Sequence, residues 1–109
     1  MAITSAPLQG GVLLTTTTAA IYTCPPATKA VVKRAVFANY TALAVTITVT
    51  ITRAGGSALN IITVQPIAAN STYTAPELAG MALNPGDVVN ALASALNSVN
   101  AFVSGFTVV

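Results

Sequence analysis

The chain has 109 residues, of which 54% are hydrophobic and only 6% charged: Lys29, Lys33, Arg34, Arg53, Glu77 and Asp87. An average soluble domain carries about 25% charged residues, so the surface of this one is built from uncharged groups. With no histidine, one cysteine and two acids, the inventory excludes a zinc site of any usual kind, a disulfide within the chain and a histidine-based nucleophile.

The length allows one domain. Met1 to Gly11 mixes Pro7, Gly10 and Gly11 with Ile3 and Leu8 and reads as an extended N-terminal arm. Residues 12–109 read as a single β domain. The opening residues carry no basic stretch and no apolar core of signal-peptide length. The product is therefore expected to start near Met1, in the cytoplasm of the cell that makes it.

Val12 to Thr18 and Ala20 to Thr23 are candidate edge strands, and Thr15 to Thr18 is a run of four threonines. Cys24 precedes Pro25 and Pro26 and reads as a small turn or core residue, because nothing nearby lowers a thiol pKa. Ala30 to Asn39 is β-rich and ends in Asn39-Tyr40-Thr41, a turn signal. On a regular strand Lys29 and Lys33 share one face and Arg34 takes the other. This basic cluster is a candidate contact for an acidic partner surface, set against a plain solubility role.

Leu43 to Arg53 is the clearest segment. Leu43, Val45, Ile47, Val49 and Ile51 alternate with threonines at 46, 48, 50 and 52. A period of two places these sets on opposite faces of a strand, and β-branched residues favour it. One face is aliphatic and the other a threonine ladder. Ala54-Gly55-Gly56-Ser57 is a hairpin loop by composition, leading to a short strand over Leu59 to Val64.

Ser71 to Thr74 is a brief strand after the turn from Pro66 to Asn70, and Pro76 to Leu83 is placed as a short helical turn. Asn39-Tyr40-Thr41 and Asn70-Ser71-Thr72 match the glycosylation sequon but read as turns. Asn84-Pro85-Gly86-Asp87 is a strong turn. Val88 to Leu96 fits a strand by its context and a helix by its alanine and leucine spacing; the preceding tight turn and the β-rich tail favour strand. Val99 to Val108 closes the chain. Glu77 and Asp87 both fall in turn-like sequence, which argues against a catalytic carboxylate pair.

Seven to eight short strands with turns every 8–12 residues predict an all-β fold, an antiparallel β-sandwich of jelly-roll-like form. The longest uncharged stretch, Val88 to Val109, is interrupted by Asn90, Ser94, Asn97, Ser98, Asn100, Ser104 and Gly105, so no membrane-spanning helix is expected despite a mean hydropathy of +0.78. A net charge of +2 is too small for a nucleic-acid footprint. Four basic residues cannot protect the strand edges of a sandwich. Low-charge apolar surface marks association, so the chain reads as part of an assembly.

The order of segments resembles that of small phage virion proteins with a β-sandwich fold. Ile21-Tyr22-Thr23-Cys24-Pro25 leads into the basic strand Lys29 to Asn39. The alternating strand Val45 to Thr52, the turn Leu83 to Asp87 and a closing strand with Ser104-Gly105 follow. The similarity covers residues 20 to 109. Many members end in serine-glycine-x-glutamate, and Thr107 stands here at the acidic position.

The resemblance implies a non-enzymatic virion component without cofactor or metal. It points to a capsid decoration (cement) protein, or alternatively a neck, tail or baseplate component, including a module that binds host-surface glycans. For decoration it implies a homo-oligomer, commonly a trimer, seated on the major capsid protein or other virion proteins. The candidate contacts are Ile3 and Leu8 on the arm and Lys29, Lys33 and Arg34 on the basic strand.

Overall fold

A computed structural model describes residues 3–108. Nine strands run β1 (Ile3–Leu13), β2 (Ala19–Thr23), β3 (Lys29–Asn39), β4 (Val45–Thr52), β5 (Ala58–Ile67), β6 (Thr72–Thr74), β7 (Ala82–Leu83), β8 (Val88–Ala93) and β9 (Val99–Val108). They form two antiparallel sheets. Sheet A has the order β1-β9-β3-β6, with the two-residue β7 also on β3; sheet B has the order β2-β8-β4-β5.

The pairs are nested. β1 meets β9, β2 meets β8, β3 meets β6 and β4 meets β5. A long hairpin folded over so that successive arms fall in opposite sheets gives this order, and it is the jelly roll. The expected all-β sandwich is therefore the observed fold, and among the described residues no helix is long and apolar enough to cross a membrane.

β4 shows why these residues make strands. Val45, Ile47, Val49 and Ile51 are buried, and the four threonines between them are half-buried on the other face. β8 settles as strand on the same logic: Val89, Ala91 and Ala93 are buried in alternation, in register with β4 from Thr52↔Val88 to Ile47↔Ala93. The core between the sheets centres on Phe37, Ile47, Val49, Val32, Val99, Leu78 and Leu83. Burying each large aliphatic there contributes about 1.5–3 kcal/mol before entropy is subtracted.

Three expectations are corrected. Residues 3–11, expected as an arm outside the domain, belong to β1, which pairs with β9 from Ile3↔Val108 to Leu13↔Asn100. Gly10 and Gly11 do not end the strand; they lie where its register shifts between Gln9 and Val12. The strand expected over Val12 to Thr18 consequently stops at Leu13. Thr15 to Thr18 form an exposed loop in which the Thr15 hydroxyl donates to the Thr17 carbonyl at 2.9 Å. The short helical turn expected over Pro76 to Leu83 is confined to successive turns over Pro76 to Gly80 (Leu78 N–H to Ala75 O, Ala79 N–H to Pro76 O), and Ala82–Leu83 forms β7.

Two buried polar residues tie loops together. Asn39 is 2% exposed. Its Nδ2 donates to the carbonyls of Leu43, Ile67 and Ala68, and its Oδ1 accepts from the Thr41 N–H and hydroxyl. It thereby joins the β3–β4 turn to the β5–β6 turn. A side chain so engaged does not present an acceptor for a glycan.

Asp87 does the same at the opposite end. Its carboxylate accepts from the Asn84 amide (2.8 Å), the Ala54 amide (3.0 Å) and Arg53 Nη1 (2.6 Å). The β7–β8 turn, whose Gly86 has φ 88°, is thus bound to the β4–β5 hairpin. Among the described residues no buried side-chain nitrogen or oxygen lacks a hydrogen-bond partner.

Candidate interaction surfaces

The outer face of sheet A gathers the basic cluster. On β3 the residues Ala30, Val32, Ala35, Phe37 and Asn39 are buried and point between the sheets. The alternation slips between Val32 and Ala35, because the register with β9 shifts between Val32 and Arg34. This β-bulge turns both Lys33 and Arg34 outward, against the expectation that they take opposite faces. A bulge re-aims side chains in this way.

Gly105 on β9 permits it. A Cβ there would run into the Val31 carbonyl oxygen and crowd the Lys33 amide, so the close approach of the bulge requires glycine. Lys29 lies on the same outer face, beside Val108. Lys33 Nζ sits 5.5 Å from the centre of the Phe106 ring, a cation–π contact. Phe102, 42% exposed, faces Val36 across the strands. The surface is thus three cations set among two aromatic rings and valines.

The two arm positions behave differently from the basic ones. Leu8 is half-buried and packs on the core, so it is not a free contact. Ile3 pairs with Val108 through its backbone, and its side chain lies outside the described residues. The structure therefore brings together Lys29, Lys33 and Arg34 only.

The fourth cation is neutralised. Arg53 pairs with Asp87. Burial alone would raise the Asp87 carboxyl, but the Asn84 amide, the Arg53 guanidinium and the Ala54 amide hold it below its ordinary value. The other acid, Glu77, accepts the Tyr73 hydroxyl at 2.8 and 3.0 Å. Burial, and then that bond and the charge of Glu77, push the Tyr73 phenol up to about 12.

The outer face of sheet B carries no charged side chain. Thr46, Thr48, Thr50 and Thr52 on β4 stand beside Val88, Asn90 and Leu92 on β8, with Thr48 opposite Leu92 and Thr50 opposite Asn90. Asn90 Nδ2 donates to the Thr52 hydroxyl at 3.2 Å. A third uncharged surface lies where the β3–β4 and β8–β9 loops meet, tied by the Tyr40 N–H to Ser98 carbonyl bond. There Tyr40, Leu43 and Leu96 are 52%, 76% and 60% exposed. Sequence reading placed Tyr40 in a turn and Leu43 on the aliphatic face of the strand; the strand begins at Val45, which leaves Leu43 exposed in the loop before it.

The chemistry available at these surfaces is contact chemistry. Cys24 is buried, with Sγ donating to the Thr28 carbonyl, and burial and the nearby Asp87 charge push its thiol up. Among the described residues no three His, Cys, Asp or Glu side chains come together.

The fold and its surfaces define a small jelly-roll domain with one basic–aromatic face and an uncharged face on the opposite sheet. No protein-family model matches the chain, and no characterised protein matches its sequence. Solved structures of infectious bursal disease virus are similar at a distance. For the Gt strain the identity is 15% and the TM-score 0.46, over 97% of this chain and 28% of that one. For the Gx strain they are 17% and 0.42, over 96% and 29%. This chain thus spans less than a third of those chains, and likeness at that level carries no argument about role or partners.

Proposed function

We propose that the protein is a non-enzymatic structural component of a phage virion: a decoration (cement) protein that binds the outside of the head as a homo-oligomer. The observation that carries the reading is the surface. Only Lys29, Lys33, Arg34 and Glu77 leave charge on it beyond the Arg53–Asp87 pair, while Leu43, Leu59, Val64 and Leu96 are each more than half exposed. Surface of that kind marks association. The segment order shared with small phage virion proteins supplies the phage assignment, the trimeric state and the major capsid protein as partner.

The mechanism is burial across subunit joints. A standard joint covers about 1,600 Å², of which roughly 57% is apolar. At about 25 cal/mol per Å² that is a gross gain of roughly 20 kcal/mol, from which association and ordering remove about 4–15 kcal/mol or more. The test is copy number in purified particles by mass spectrometry and electron microscopy. Hundreds of copies spread over the shell are expected; copies confined to one vertex would overturn the cement role. The second reading, a neck or tail component that contacts host-surface glycans, draws on the exposed Tyr40 beside Leu43 and Leu96. Aromatic rings are the usual platform for sugars, and binding on a glycan array that Tyr40→Ala abolishes would favour it.

A further inference from the structure

We propose that a second copy of this chain packs on the outer face of sheet B, the threonine–leucine surface centred on Thr50 and Leu92. The inference rests on the proposal that copies assemble, and it names the face they use. The argument is one of complementarity. Any joint between identical chains has to be satisfied by groups the chain itself carries.

The outer face of sheet A fails that condition. Its three cations, Lys29, Lys33 and Arg34, need acids, and among the described residues Glu77 is the one exposed acidic side chain the chain can offer. Asp87 is 2% exposed and held by Arg53 and two amides. Glu77 accepts the Tyr73 hydroxyl, and one acid cannot balance three cations. Two such faces together would set like charges against each other, which disfavours the contact.

The outer face of sheet B meets the condition. Hydroxyl groups both donate and accept, so Thr46, Thr48, Thr50 and Thr52 find partners on another uncharged surface, whichever way it is turned. Leu92 and Val88 supply apolar area between them. The threonines are β-branched and fixed by the strand, so little side-chain freedom remains to be lost. The molecule is a slab of 45 × 27 × 19 Å. Its broad faces, the outer sides of the two sheets, have room for the roughly 800 Å² per partner of a standard interface. With copies joined through sheet B, the basic face of sheet A is left turned away from the joint.

The test uses the full chain and two readouts. In sedimentation velocity over a concentration series, wild type should form an oligomer and Thr50→Lys/Leu92→Lys should stay monomeric, with a dissociation constant raised about a hundredfold by two buried, unpaired ammonium groups. Lys33→Glu/Arg34→Glu should assemble as wild type does.

The second readout does not depend on how well the lysine variant folds. Cys24 is buried, so wild type is the blank for single-thiol labelling. Thr50→Cys should react with a polar maleimide at least about tenfold more slowly in the assembled form than when diluted, and Lys33→Cys equally fast in both. A wild type that remains monomeric overturns the inference, as do full assembly of the lysine variant, dissolution by the glutamate variant, or undiminished labelling of Thr50→Cys on assembly. Absence of the protein from particles would overturn the virion assignment and leave this interface standing.

Discussion

Replacing Asp87 probes the link that holds the β7–β8 turn to the β4–β5 hairpin. Three donors converge on one buried carboxylate: two amides and a guanidinium. Asp87→Ala leaves the Asn84 and Ala54 amides without a partner, while Arg53, 42% exposed, still reaches water. An orphaned buried donor costs about 1–3 kcal/mol, and the expected loss is about 3 kcal/mol. Asp87→Asn keeps one acceptor oxygen and turns an NH₂ toward the remaining donors, for about 2 kcal/mol. Arg53→Ala removes only the solvent-screened partner and costs about 1 kcal/mol.

Urea unfolding followed by far-UV circular dichroism, at one low protein concentration, measures all three. The slope should stay constant and the midpoint should shift. On heating, Asp87→Ala should lower Tm by roughly 12 °C, since 1 kcal/mol corresponds to about 4 °C in a domain of this size. If Asp87→Asn and Asp87→Ala both fell within about 0.5 kcal/mol of wild type, the carboxylate would not be the tie described. If Arg53→Ala cost more than Asp87→Ala, the guanidinium rather than the amides would hold the turn.

The same carboxyl sets an acid limit. Its folded pKa lies below the ordinary 3.8, so its contribution is complete above that value and is lost as pH falls through the folded one. Wild type should therefore weaken below pH ~4 more steeply than Asp87→Asn in a urea series run against pH. Tyr73 acts at the other extreme: with its phenol pushed up to about 12, its contribution is complete below pH ~10 and is lost as pH rises toward the folded value. A 295 nm titration should show a late phenol that Tyr73→Phe removes. Gly105→Ala sets a Cβ against the Val31 carbonyl and should cost about 3 kcal/mol in urea. Gly10→Ala meets nothing within 4 Å and should stay within about 0.5 kcal/mol of wild type. Asn39→Asp would turn a carboxylate toward three carbonyls, costing about 3 kcal/mol at neutral pH and less in acid, where the group is protonated.

What was legible in the sequence was local. The period of two in β4 and the Asn84–Asp87 turn depend on neighbours along the chain, and both stand where expected. What was not legible depends on the strand alongside. Gly10 and Gly11 look like the end of an arm, yet β9 supplies hydrogen bonds on both sides of them and keeps β1 in the sheet. The bulge at Lys33 leaves no mark in β3; its sign is Gly105, 72 positions further along the chain (105 − 33) and adjacent in space. Asn39 announced a turn correctly, but its reach to Ile67 and Ala68 needs the fold. The candidate contacts divided the same way. Lys29 and Lys33 share a face by strand alternation and Arg34 joins them only through the bulge, whereas Leu8 packs inward on the core.

The nested strand order also has a kinetic side. β9 is the spine of sheet A, with β1 on one flank and β3 on the other. Neither flank has its long partner until residues 99–108 have been synthesised, whereas β4 and β5 can close as a hairpin much earlier. Pairing across so much chain is slow, and in the meantime β1 exposes an unpaired, uncharged edge of the kind that aggregates. A chain built this way depends on its final strand arriving promptly, and truncation within β9 should leave a product that precipitates rather than a smaller folded domain.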